Sequence, residues 1–187
     1  MKRLLAAILI ILLVFIIGGM FYAQTNNKLD RCKTMCDESW KKIDAEFQKK
    51  SSLIPSFLAM MKDYTVQERD IIQYATDVYT KFASTKNKKI SSFYAVDDAL
   101  SKLLSVVDKY PELKANENFT PLMDKLKEVE KSILKASRQY NKNVEIYNAL
   151  IKSFPANIIA KARGFSAYPE FSEEESVGKQ KHTNAGE

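Results

Sequence analysis

Histidine is almost absent from this chain of 187 residues, and the single one, His182, lies in a polar C-terminal stretch. A lone imidazole there has no fixed partner for proton relay, and it cannot supply the Glu-x-x-His pairs that di-iron bundles place on facing helices. Glycine is scarce as well. Of five, Gly18 and Gly19 fall in an apolar run and Gly178 and Gly186 near the end, which leaves Gly164 and no glycine-rich phosphate loop. Two cysteines, Cys32 and Cys36, cannot complete a thiolate zinc site without a second pair of Cys or His. No strand-like alternation of useful length occurs, and no internal repeat. Basic and aromatic residues do not interleave as they do on nucleic-acid-binding surfaces. Together these absences set the expectation of a protein that is not an enzyme, needs no cofactor or metal, and does not bind nucleic acid.

What the chain does have begins at its N-terminus. Leu4 to Ala23 is twenty residues without a charge, which as a helix spans roughly 30 Å, the thickness of a bilayer's hydrocarbon layer. A cleaved secretory signal is the competing reading. The run is longer than the usual apolar core of such signals, and Phe21 occupies a position where cleavage wants a small residue. The expectation is therefore a single-pass transmembrane helix in the cell membrane. Lys2 and Arg3 precede it and Lys28, Arg31 and Lys33 follow it, so charge alone leaves orientation near a tie. A very short basic N-terminus ahead of a signal-like span leans towards an extracytoplasmic body.

The net charge of +6 is unevenly spread, because the stretch from Glu170 carries five acids against two lysines. In the middle of the chain lysines interleave with Asp and Glu, which reads as a well-mixed solvated surface rather than a lipid-binding one.

Helical periodicity governs the rest. Phe119, Leu122, Leu126, Val129, Ile133, Ala136, Tyr140, Val144, Tyr147, Ile151 and Phe154 recur every three or four residues, the seam of a long helix packed lengthwise in a bundle. A first helix over 27–50 carries Leu29, Cys32, Cys36, Trp40, Ile43 and Phe47 on one side, and the apolar run can continue straight into it. Pro55 interrupts the pattern. A second helix to Phe82 follows, with a break near Tyr64, where Thr65-Val66-Gln67-Glu68 has the form of a capping box. A third runs from Phe93 to Lys109, ahead of Pro111. Asn116 or Asn118 can cap the fourth, Pro155 ends it, and Gly164 is placed to stop a short extra helix over 156–163. Four amphipathic helices with short links favour an antiparallel up-and-down bundle. The domain expectation is a short tail at 1–3, an anchor at 4–23, a helical bundle at 24–171 and a disordered tail at 172–187.

Two constellations invite a functional reading. Cys32 and Cys36 lie one turn apart and could form a redox pair, but small soft side chains filling the seam beside Trp40 account for them better. Tyr140-Asn141 and Tyr147-Asn148 repeat one dipeptide a heptad apart, with Arg138 near the same face. These five are the candidate binding or register residues. They form either a ligand-binding polar strip or, as we favour, a set of buried hydrogen bonds fixing helix register.

The order of short motifs resembles the LemA family of membrane-anchored bacterial proteins over residues 1 to about 171. It rests on Asn27 and Leu29 after the anchor, Leu53-Ile54-Pro55, Tyr110-Pro111-Glu112-Leu113-Lys114-Ala115-Asn116 with Phe119, the two Tyr-Asn pairs, and Phe154-Pro155 to Gly164-Phe165. The chain departs from the family where paired arginines usually precede the Leu-Ile-Pro, having Lys49-Lys50 and Ser51-Ser52, and where His-Glu is often found it has Gln67-Glu68. The resemblance implies a four-helix bundle of bromodomain-like topology on one membrane anchor; it does not imply acetyl-lysine recognition, and it brings no established activity. The functional expectation is a membrane-anchored scaffold that engages a protein partner or another copy of itself. The alternative is an extracytoplasmic ligand sensor using the Tyr/Asn strip.

Overall fold

A computed structural model of the chain describes residues 2–64, 66–86 and 88–172, and their side chains apart from those of residues 2–8, 10, 14 and 64. The described residues are helical, without a strand. Helix α1 runs unbroken over Lys2–Ser51, so the apolar run and the first amphipathic stretch are one helix. The anchor expected at 4–23 falls partly on side chains outside the described set, and among the described residues no helix is long and apolar enough to cross a membrane. Then come α2 (Ile54–Met60), a single turn of 3-10 helix (Lys62–Tyr64), α3 (Arg69–Ser84), α4 (Ile90–Lys109), α5 (Pro111–Lys114), α6 (Phe119–Lys152) and α7 (Ala156–Ala162). The tail expectation for 173–187 lies outside the described residues.

The chain divides into two compact units, one of residues 1–39 with 140–170 and the other of 40–139 with 171–187. In the second, α3 packs on α4 as an antiparallel hairpin. Tyr74 reaches Asp98 near one end and Phe82 meets Phe93 near the other. Its centre is aromatic: Phe93 stacks on Phe47 with ring centroids 4.4 Å apart, and Trp40, Phe82 and Phe171 surround it at 5.3–6.2 Å. Each such ring removes 150–250 Å² or so from water, so these five contribute heavily to this unit's stability.

In the first unit α6 descends α1 antiparallel. Asn143 meets Met35 and Ser39, and one turn or two further on Leu150 and Ile151 pack against a cluster containing Leu29, Ile159 and Ala160. The end of α7 is set by Gly164, whose φ of 71° suits glycine. The Phe165 N–H donates to Ala160 O and the Gly164 N–H to Lys161 O, the paired bonds of a Schellman stop.

Two local expectations fail for physical reasons. Thr65 of the expected capping box lies outside the described residues; Glu68 stands at the N-cap of α3 without a capping bond, and its carboxylate accepts from Lys109 Nζ at 2.6 Å and Tyr110 Oη at 2.9 Å instead. A charged tertiary pair outweighs one local backbone bond. Phe154, expected inside the α6 seam, is 81% exposed because α6 ends at Lys152 and the backbone turns before it. Leu122, Leu126, Ile133, Tyr140, Val144 and Tyr147 of the same seam are buried as expected.

Candidate functional site

The polar strip of α6 is held against a segment that follows α7. Beyond Gly164 residues 165–170 have no regular secondary structure, and the segment is bonded to α6 rather than forming a further helix. Asn148 grips it with both ends of its amide: Nδ2 donates to Tyr168 O at 2.9 Å and Oδ1 accepts from Tyr168 N at 3.0 Å. This is the pairing an adjacent strand would make, supplied by one side chain. Eight residues earlier on α6, the Tyr140 hydroxyl donates to Pro169 O at 2.9 Å. Between them Tyr147 is buried, edge-on to Tyr168 at 5.2 Å and to Phe165 at 6.4 Å.

The Tyr168 side chain continues to α1. Its hydroxyl donates to Asp37 Oδ1 at 2.5 Å, and Lys33 Nζ donates to Asp37 Oδ2 at 2.8 Å. That carboxylate therefore sits between an ammonium and a phenol. The Lys33 pKa is raised, first by its bond to Asp37 and then by Tyr168. Tyr168 is pushed up to about 12 by burial and by donating to Asp37. Tyr140 is pushed up to about 12 by burial. Burial, with Asp37 nearby, also raises the Cys36 thiol to about 11, so it is protonated at neutral pH and a poor nucleophile. Cys32 and Cys36 are both free thiols and both buried.

Of the five residues singled out from sequence, the structure gathers Tyr140, Tyr147 and Asn148 on the segment 165–169. Arg138 is exposed and Asn141 half-buried. Sequence reasoning passed over Asn143, which is 6% exposed and donates to Met35 O at 3.1 Å and Ser39 Oγ at 3.2 Å. The signal was present: Asn143 stands three residues after Tyr140, on the same apolar face. Tyr168 was also missed, although the run Phe165 to Phe171 carries three aromatic side chains.

The second unit holds a different polar group. Lys50 at the end of α1 is 6% exposed, and its Nζ lies 2.7 Å from Asp97 Oδ1 on α4 and 3.2 Å from Glu130 Oε1 on α6. The Asp97 contact is an ion pair without good hydrogen-bond geometry, and Asp97 Oδ2 has no hydrogen-bond partner among the described residues. Burial therefore outweighs Lys50 and pushes the Asp97 carboxyl up to about 6. A groove of about 490 Å³ between α3 and α4 is walled by Tyr74, Val78, Phe82 and Ala95, none of them in the α6 strip.

Among the described residues these features define an all-helical protein in which Tyr140, Asn143 and Asn148 of α6 are bonded to its own backbone. The model of the LemA family matches residues 39–183, and the chain belongs to that family. It is similar over 76 residues to magnetosome protein MamQ 2 of Paramagnetospirillum magneticum, at 32% identity, and to magnetosome protein MamQ of Magnetospirillum gryphiswaldense, at 26%. Each match covers 41% of this chain and 28% of the relative, so the similarity spans less than a third of those proteins.

Proposed function

We propose that this is a single-pass membrane protein of the LemA family, whose helical body serves as a scaffold for a protein partner or for another copy of itself. One observation carries the membrane part. From Leu9 to Tyr22 the described large apolar side chains of α1 are 50–77% exposed. Burying a Leu, Ile or Phe is worth about 1.5–3 kcal/mol each, so a helix displaying this many needs a cover. The uncharged length from Leu4 to Ala23 fits a bilayer. The body outside the anchor is proposed as a four-helix up-and-down bundle lying outside the cytoplasm. Its support is pairwise: α3 runs against α4, α6 runs against α1, and α1 runs with α4, as the contacts of Trp40 and Phe47 with Phe93 and of Lys50 with Asp97 require.

The scaffold reading draws on the engagement of the Tyr/Asn strip with the chain's own backbone. A ligand sensor built on the Tyr/Asn strip has less support, because Tyr140 and Asn148 already spend their polar atoms on the backbone at 168–169. Cross-linking in intact membranes followed by purification in detergent tests the proposal. A stoichiometric partner or a defined oligomer is expected; a lone monomer by light scattering, with nothing cross-linked, contradicts it. Protease access to the C-terminal tail in intact against lysed cells fixes the side of the membrane.

A further inference from the structure

Phe154 and Ile158, large apolar side chains in the first unit, are 81% and 60% exposed. Both lie at the turn from α6 into α7, and the contacts within the unit fix their level. Asn143 meets α1 at Met35 and Ser39, Leu150 and Ile151 pack near Leu29, and Arg163 bonds Asn26 and Asp30. Continuing that antiparallel register sets Phe154 level with about residue 26 of α1. The apolar run ends at Ala23, roughly 5 Å further along the helix axis.

The charges at this level have one dominant sign. Residues 24–31 and 150–165 carry Lys28, Arg31, Lys152, Lys161 and Arg163 against a single acid, Asp30. Arg163 is paired with Asp30 at 2.9 Å, and the other four basic side chains are exposed. Exposed apolar tips at the level of several exposed lysines and an arginine, beside the end of a span, are the composition of a surface that rests in a lipid interface.

We infer that the α6–α7 turn is a membrane foot. Phe154 and Ile158 enter the headgroup region next to the anchor, and Lys28, Lys152 and Lys161 meet anionic lipid phosphates. The inference rests on the anchor reading, and it deepens it: the body stands on the bilayer at two points rather than hanging from one helix. It also accounts for the exposure of Phe154, which the α6 periodicity places inside.

The test uses the full chain in a Cys32→Ala, Cys36→Ala background, reconstituted into vesicles of phosphatidylcholine and phosphatidylglycerol. An environment-sensitive fluorophore is attached at Ile158→Cys. Ile146→Cys, also exposed but about 9 Å above the end of α6 by helical rise, serves as the control. Flotation after an alkaline wash reports the anchor separately. The expected result is a chain that floats, a blue-shifted probe at 158 quenched at least severalfold by headgroup-region nitroxide lipid, and a probe at 146 that reports water. Omitting phosphatidylglycerol should reduce the quenching at 158. A chain that floats while the probe at 158 reports water overturns the foot and leaves the anchor standing. A blue shift at 158 without lipid quenching assigns the patch to a protein contact instead and also overturns it. A chain released by the wash removes the anchor and the foot together.

Discussion

The two units close their interiors by different chemistry. In the unit of 1–39 with 140–170, buried polar groups are neutral amides and hydroxyls, and Asn143, Asn148 and Tyr140 each donate to a backbone carbonyl. In the unit of 40–139 with 171–187, an aromatic cluster sits beside a buried lysine and a buried aspartate. Neutral bonds specify register at a net worth of about 1 kcal/mol each and are insensitive to pH. A buried ion pair costs desolvation on both sides, and it becomes a liability whenever one partner is lost. The first unit should therefore fail locally and gradually, the second abruptly and in a pH-dependent way.

The largest test of that contrast is Lys50→Met. It leaves Asp97 buried without its cation, and a loss of about 3–5 kcal/mol is expected, read from urea unfolding at neutral pH. Adding Asp97→Asn to it should recover much of the loss. If Lys50→Met is as stable as wild type, the triad is not coupled as described.

Next comes the pH dependence. Burial raises the folded-state pKa of the Asp97 carboxyl from the ordinary carboxylate range to about 6, so the folded state holds this proton more tightly than the unfolded chain. Its contribution to stability is full below the unfolded pKa and is lost as pH rises through about 6. Asp97→Asn should thus gain on wild type between pH 4 and pH 7, a difference that cancels other titrating groups such as Glu68. A wild-type-minus-variant difference that is flat over this range would break the assignment.

In the first unit Asn148→Ala removes two bonds to one residue, and a loss of about 1–3 kcal/mol is expected. Its signature is faster amide exchange at Tyr168, with the Phe93 region unaffected; equal exchange throughout would mean that the segment at 165–170 is not held by this amide. Smaller still, Gly164→Ala should cost about 1–2 kcal/mol through its left-handed backbone, since no neighbour lies within 4 Å of the added methyl. Thermal unfolding that leaves Tm unchanged would show that the Schellman stop relaxes freely.

Much of this architecture is legible in the sequence because it depends on periodicity. The seam positions Leu29, Cys36, Ile43, Phe47, Phe93, Leu103, Tyr140 and Tyr147 are all buried, each placed by a spacing of three or four. Proline and glycine marked the ends at Pro111, Pro155 and Gly164 for reasons of backbone geometry. What was illegible depends on long-range pairing. The carboxylate of Glu68 has a local use, capping, and a distant one, Lys109 with Tyr110, and only the fold reveals that the distant one prevails. Asn148 illustrates the same limit. Its place on a polar row of α6 could be read, but its partner, the backbone of Tyr168, is twenty residues away in a segment with no periodic signal. Phe154 fits the seam by spacing and leaves it because the helix has already ended.

The central claim is that the stretch from Leu4 to Ala23 holds this helical body in a bilayer, and alkaline carbonate extraction of membranes from cells making the full chain tests it most directly. The protein is expected to stay in the pellet and to rise with the lipid on a density gradient. Release into the supernatant, with an intact N-terminus confirmed by mass, would contradict the claim.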